Sequence, residues 1–364
     1  MHILMTADTV GGVWTYTQEL VSDLLRKKHR VTLVSAGAEP RSDQIAWLKE
    51  LNLDYRPTAY RLEWMENSRK DVEESKIYLE TLVREVQPDV LHFNQYCYGN
   101  LAVDIPRVVV AHSDVVSWWV GVHGHEPRDG EWIQWYRQTV TDGLNAADIV
   151  VAPSHWMLNC IRTYYTQPRY GIVIHNGRDP RCFDANRTKE QFVLSVGRLW
   201  DAAKQVSLLA DLHQAMPICI IGIAEEPGKQ HRGNRAPQAS FEFRGSQSQA
   251  QLRELYATAS IYAATSRYEP FGLAPLEAAF SRCAIVANDI PSFREIWEEA
   301  ACYFETNNGS DCARVIRELR DDAALRRKYA DAAYQMACDR FSARKMSQRY
   351  EDVYENVMAV ARAA

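Results

Sequence analysis

Two doubly wound α/β domains on parallel sheets are the fold this sequence predicts. Three observations point to it: the length, an alternation of short β-branched runs with helical periodicity, and a glycine loop at the first strand-to-helix junction. At 364 residues the chain is long enough for two domains of ordinary size. Hydrophobic residues make up 46% and charged residues 24%, which excludes disorder and fibrous folds.

Ile3 to Met5 is an apolar run, Thr6 to Gly12 is a loop containing Gly11-Gly12, and Val13 to Arg26 repeats Trp14, Leu20, Val21, Leu24 and Leu25 at helical spacing. Arg30 to Ser35 is a second strand, completing a parallel βαβ unit. A charged amphipathic helix is expected from about Glu63 to Val86, then strands at Asp89 to Phe93, Arg107 to Ala111 and Asp148 to Ala152. These make a first domain, 1–175. A polar stretch from Asn176 to Gln191, with Gly177, Pro180 and Asn186, opens a second domain, 176–341. Its strands are Phe192 to Val196, Ile218 to Ile221, Phe241 to Arg244, Ile261 to Ala264 and Ala284 to Ala287. Helices are expected near 203–215, 249–258, 273–281 and 310–318. The segment 342–364, with Met346, Tyr350, Val353, Tyr354 and Val357 in helical register, reads as a helix that joins the first domain.

The charge is close to balanced, 42 basic against 47 acidic residues for a net −5. That argues against nucleic acid as the main partner, since that affinity comes from clustered Lys and Arg. Eight cysteines without a C-x-x-C pair match neither a zinc knuckle nor a disulfide framework and read as reduced thiols. The start lacks a basic segment followed by an apolar stretch, and no run has the roughly 18 apolar residues of a membrane span. A cytoplasmic protein is expected, and peripheral contact with the inner face of the plasma membrane is compatible with that.

The strongest local signal is Ser266-Arg267-Tyr268-Glu269-Pro270-Phe271-Gly272-Leu273-Ala274-Pro275-Leu276-Glu277. A strand ends just before it and an apolar helix follows, so Glu269 falls in a loop and Glu277 on the helix. A helix amino terminus suits phosphate, and flanking carboxylates accept hydrogen bonds from sugar hydroxyls. Arg198, beyond a strand, and Lys204, six residues later, are two cations suited to a departing diphosphate. Gly12 permits close approach of backbone to a ligand. The dinucleotide fingerprint G-x-G-x-x-G is absent, which speaks against an NAD-dependent oxidoreductase. His112 follows a strand directly, at the carboxyl end of the first sheet. Trp118, Trp119, Trp132 and Trp135 crowd one segment, and aromatic faces stack on sugars. Half of the four are assigned to core, and Trp118 and Trp119 to an acceptor. His123-Gly124-His125-Glu126 reads as a polar loop rather than a metal site.

The segment from Glu269 to Glu277 resembles the E-x7-E signature of retaining glycosyltransferases of family 4, which adopt the GT-B fold. The resemblance extends in order over nearly the whole chain: Gly11-Gly12-Val13, Pro153-Ser154, Asn176-Gly177, Ser195-Val196-Gly197-Arg198-Leu199 with Lys204, and Phe243-Arg244-Gly245. It implies that Glu277 binds ribose hydroxyls, Glu269 a donor-sugar hydroxyl, and Arg198 and Lys204 the diphosphate. It further implies that the backbone of Phe271, Gly272 and Leu273 meets the sugar and phosphate, the backbone near Arg244 the base, and His112 the sugar's C6 hydroxyl. Two departures are Ser281-Arg282-Cys283-Ala284, where the family has Gly with a nearby Pro, and Lys27-Lys28-His29, where relatives have Gly.

The expected reaction is metal-independent, cofactor-free hexosyl transfer with retention, by same-face displacement. The donor is a nucleotide sugar, UDP-glucose first and GDP-mannose second; the acceptor is a saccharide or glycolipid hydroxyl. Exopolysaccharide or glycolipid assembly is the expected setting. A nucleotide-sugar epimerase and a binding scaffold without turnover are the competing readings.

Overall fold

The computed structural model describes residues 1–40, 42, 44–209, 216–223 and 242–363. The chain divides into two compact units, Met1–Val120 with His125–Gly177 and Ala343–Ala364, and Gly121–Gly124 with Arg178–Ser342.

The first unit is a parallel sheet of seven strands among the described residues: β1 (His2–Asp8), β2 (Arg30–Ala36), β3 (Asp54–Pro57), β4 (Val90–Phe93), β5 (Arg107–Val110), β6 (Ile149–Ala152) and β7 (Gly171–Val173). Their order is β3-β2-β1-β4-β5-β6-β7. Along β1 every residue is buried, as expected for a parallel strand covered on both faces. Leu4 joins one core with α2 (Arg69–Val86), α4 (Glu131–Ala146) and α5 (His155–Tyr164). Ile3 and Met5 join the other, with α1 (Gly12–Arg26) and the final helix α11 (Ala343–Ala363). Met346, Tyr350, Val353, Tyr354 and Val357 of α11 are all buried there. The helix α3 (Val115–His123) follows β5.

The second unit has six parallel strands among the described residues: β8 (Glu190–Val196), β9 (Ile218–Ile221), β10 (Glu242–Phe243), β11 (Ala259–Ala264), β12 (Ala284–Asn288) and β13 (Cys302–Phe304). They run in the order β10-β9-β8-β11-β12-β13. Helices α6 (Gln249–Thr258), α7 (Leu273–Phe280), α8 (Pro291–Trp297) and α10 (Ala323–Arg340) share one core, and α9 (Gly309–Asp321) the other.

Three expectations are corrected. The helix expected from Glu63 begins only at Arg69, because Glu63 is buried and accepts the Tyr96 N–H at 2.9 Å, pinning the preceding segment. Instead of one helix near 203–215 there are two single turns, Ala202–Lys204 and Val206–Leu209, separated by Gln205 in the left-handed region (φ 49°); 210–215 lie outside the described residues. The strand expected over Phe241 to Arg244 is Glu242–Phe243, and Phe241 likewise lies outside them.

Both departures from the family's glycines fall on residues with positive φ, Lys28 at 66° and Arg282 at 57°. Glycine takes this conformation freely, whereas an L side chain pays roughly 1–2 kcal/mol. Both positions therefore carry a local cost in stability. No helix among the described residues is long and apolar enough to cross a membrane.

Candidate active site

In the second unit the site forms where β8 and β11 end. Gly222 approaches this point so closely that a Cβ on it would fall 1.6 Å from the Gly197 carbonyl oxygen. Gly197 itself is covered by the alkyl stem of Lys204, whose Cγ would lie 3.4 Å from a Cβ there. Lys204 ends the turn Ala202–Lys204, which Asp201 caps by accepting the Ala203 N–H at 3.0 Å. The turn is tied to the end of β11, because Thr265 Oγ1 donates to the Lys204 carbonyl at 2.8 Å. Lys204 Nζ then reaches Glu269 Oε2 at 2.5 Å, and Ser266 Oγ donates to the same oxygen at 3.1 Å. Lys204 and Glu269, 65 residues apart, are thus brought together.

Gly272 (φ 91°) opens α7, and a Cβ on it would meet Pro275 Cγ at 2.9 Å and Glu269 Cγ at 3.2 Å. Only glycine serves there. Phe271 is buried edge-on against Phe341, with centroids 5.4 Å apart, and Leu273 begins α7. Glu277, on α7, is held by Arg178, whose Nε lies 2.9 Å from Glu277 Oε1. The Arg178 side chain is only 3% exposed, and its guanidinium lies over the Phe183 ring at 5.5 Å. Sequence reasoning missed Arg178. The available signal was a charged residue placed directly after Asn176-Gly177.

Arg198 does not join Lys204. Its Nη2 donates to Asp201 Oδ2 at 2.8 Å and its guanidinium lies over Trp200 at 5.1 Å. Arg244 follows the edge strand β10; its side chain pairs with Glu242 at 2.9 Å, and its backbone is bonded to Ile220 and Gln247. Lys204, Arg178, Arg198 and Arg244 are thus each matched with a carboxylate, Glu269, Glu277, Asp201 and Glu242 in turn.

In the first unit, β1 leads through Gly11 into α1, and the left-handed residue is Gly11 (φ 84°) rather than Gly12, which is the first helical residue. His112 follows β5 and is half-buried. Its Nε2 lies 2.7 Å from Asn94 Oδ1, and its ring meets Tyr16 edge-on at 4.5 Å. Burial, and then the neighbouring His92, push its imidazole down to about 3, so the ring is neutral at physiological pH. Asn94, His92 and Tyr16 were not singled out from sequence; for His92 the signal was a polar residue inside the apolar strand β4, with Asn94 just beyond its end. Trp118 and Trp119 lie on α3, half-buried, with rings 6.3 Å apart. Trp132 stacks on Tyr136 at 5.6 Å and packs with Trp135 against the core. Arg137 of α4 pairs with Glu126 at 2.5 Å, and among the described residues no three His, Cys, Asp or Glu gather to hold a metal.

Residues 10–181 match the family profile described as Glycosyltransferase Family 4, and residues 182–336 the profile described as Glycosyl transferases group 1. The chain belongs to glycosyltransferase family 4. Among curated members, alpha-maltose-1-phosphate synthase of Mycobacterium tuberculosis is 25% identical over 304 residues, covering 72% of this chain and 76% of that protein. The family's solved structures share the GT-B fold. Sucrose-phosphate synthase of Thermosynechococcus elongatus superposes with a TM-score of 0.77 at 16% identity, over 99% of this chain and 100% of that one. Anabaena HepE in complex with UDP-glucose superposes with a TM-score of 0.75 at 17% identity, over 98% of this chain and 100% of that one.

Proposed function

We propose that this family 4 glycosyltransferase is a retaining, metal-independent hexosyltransferase using UDP-glucose, with a saccharide or glycolipid hydroxyl as acceptor. The observation that carries the reading is the Lys204–Glu269 pair at 2.5 Å beside Gly272, where an ammonium and a carboxylate share one strand end. A sugar diphosphate offers each of them a new partner, hydroxyls for Glu269 and phosphate oxygens for Lys204. Glu277, oriented by Arg178, takes the ribose hydroxyls, and the backbone near Arg244 takes the base. The backbone of Phe271, Gly272 and Leu273 meets the sugar and phosphate. Arg198 swings from Asp201 to the diphosphate, a motion its surface-facing guanidinium permits.

In the chemical step the bond from the anomeric carbon to the diphosphate oxygen breaks while the acceptor oxygen bonds to the same face. The acceptor proton passes to the leaving diphosphate. Lys204 and Arg198 stabilise the charge that develops there, a role fixed cations fill without a metal. His112 and the Gly11-Gly12 loop serve the sugar and phosphate from the first unit, and Trp118 and Trp119 the acceptor. The complex of HepE with UDP-glucose supports the choice of donor. The setting proposed is glycoconjugate assembly at the inner face of the cytoplasmic membrane.

Thermal melts with UDP, GDP, ADP and their hexose derivatives, with and without magnesium, test the reading. A ligand at a hundred times its Kd stabilises by about 2.7 kcal/mol. UDP-glucose is expected to raise Tm without magnesium and to lose that effect in Lys204→Ala and Glu277→Ala. A shift confined to GDP-mannose replaces the donor, and a shift without turnover on any acceptor leaves a binding scaffold.

A further inference from the structure

His112 is held by a polar chain running through the first unit, and that chain fixes where its proton resides. Asn94 Nδ2 donates to the Thr6 carbonyl at 2.6 Å, a contact that only the NH2 end of the amide can make. Its Oδ1 therefore faces the two histidines, 2.7 Å from His112 Nε2 and 3.3 Å from His92 Nε2. An amide oxygen only accepts, so His112 Nε2 must carry hydrogen, whereas His92 Nε2 lies equally near the Tyr16 hydroxyl, at 3.3 Å. His92 Nδ1 lies 2.7 Å from the Tyr354 hydroxyl, which continues the chain. His92 is fully buried and Asn94 is 8% exposed, which shields the Asn94 end of these bonds from water. The Tyr16 ring, edge-on to His112, restrains rotation of the imidazole. Among the described residues nothing bonds His112 Nδ1.

We propose that Asn94 is a positioning residue that locks His112 in the Nε2–H form, so that Nδ1 meets the substrate as an acceptor for a sugar hydroxyl. This rests on the hexosyltransfer reading above and extends it to a hydrogen-bond polarity. A substrate group at that position must bring a proton; a carboxylate there, as in a uronic acid, would meet lone pair against lone pair. The neutral state of the ring, set by its burial, keeps this polarity down to acid pH.

Nitrogen-15 spectra of histidine-labelled protein at pH 7, with His112 assigned by its loss in His112→Gln, test the lock directly. Wild type is expected to show only the Nε2–H form at His112, and an Nδ1–H signal overturns the proposal whatever the variants do. Asn94→Leu is expected to mix the two forms and to lower kcat on the order of a hundredfold with a smaller change in donor KM. Tyr354→Phe is expected to leave the Nε2–H form of His112 unchanged, and a switch to Nδ1–H there overturns Asn94 as the source of the lock. Unchanged kcat in a folded Asn94→Leu protein overturns the positioning role. Absence of turnover in wild type with every nucleotide sugar overturns the hexosyltransfer reading instead, and leaves the spectrum to decide the lock.

Discussion

The site residues of the two units are held by opposite means. In the first unit His112, Asn94 and His92 form a chain of neutral hydrogen bonds in which the Asn94 amide fixes the proton of His112 Nε2. In the second, Lys204 with Glu269, Arg198 with Asp201 and Arg178 with Glu277 are ion pairs whose members can exchange partners. Neutral chains are direction-specific and insensitive to salt, so they suit the selection of a hydroxyl. Ion pairs suit a site that must accept and release a dianion, because a ligand charge substitutes for a protein charge.

The largest effect that would break this contrast is loss of catalysis. Lys204→Ala is expected to reduce kcat by at least the 10²–10³-fold typical of removing one electrostatic stabiliser, with the protein still folded by circular dichroism. Arg178→Leu should come next and act on stability. It leaves the Glu277 carboxylate without its nearly buried partner, a loss on the order of 3–5 kcal/mol for fully buried pairs and less here because Glu277 is 14% exposed. A urea melt reads it, and Arg178→Lys should recover only part, since an ammonium lacks the guanidinium's fork.

Acid sharpens the comparison further. His92 and His112 are pushed from the ordinary 6.5 down to about 3, chiefly by burial. In that window the unfolded chain binds protons that the folded one does not, so stability is full above about 6.5 and declines as pH falls toward 3. Tm measured from pH 7 to pH 4 should fall, and a folded His92→Gln should flatten the slope. Replacing Trp118 and Trp119 by Ala is expected to raise acceptor KM by roughly 2- to 12-fold, the equivalent of about 0.5–1.5 kcal/mol of aromatic contact, with donor affinity unchanged. The smallest effect is Lys28→Gly, expected to stabilise by up to about 1 kcal/mol by relieving the left-handed backbone at φ 66°.

The legible parts of this molecule were those that repeat. The inner strands of both sheets stood out because parallel strands covered on both faces read as unbroken apolar runs, as β1 does, whereas β3, β7 and β13, short and only partly buried at the sheet edges, did not. Helix α11 stood out through its large apolar side chains. Helix α10 did not, because the face it buries is lined by Ala330, Ala333 and Ala337, which carry too little apolar bulk to mark a stripe. In the site, Lys204, Glu269 and Glu277 were found through spacing that matches a family. The partners Arg178, Asn94 and Tyr354 were not, since each meets a neighbour through the fold; Tyr354 and His92 are 262 positions apart.

The path of the chain also orders its own manufacture. The second unit is threaded into the first between Gly177 and Ala343, so β1 and α1 emerge from the ribosome long before α11, which completes their core. At ~5–20 residues per second that interval is roughly 16–64 s, during which Ile3, Leu20 and Leu24 lack the cover that α11 supplies. The inserted unit, by contrast, is contiguous apart from Gly121–Gly124 and can close while synthesis continues. A released chain truncated after Ser342 should therefore protect the later-made sheet from protease while the earlier-made one, without α11, stays open.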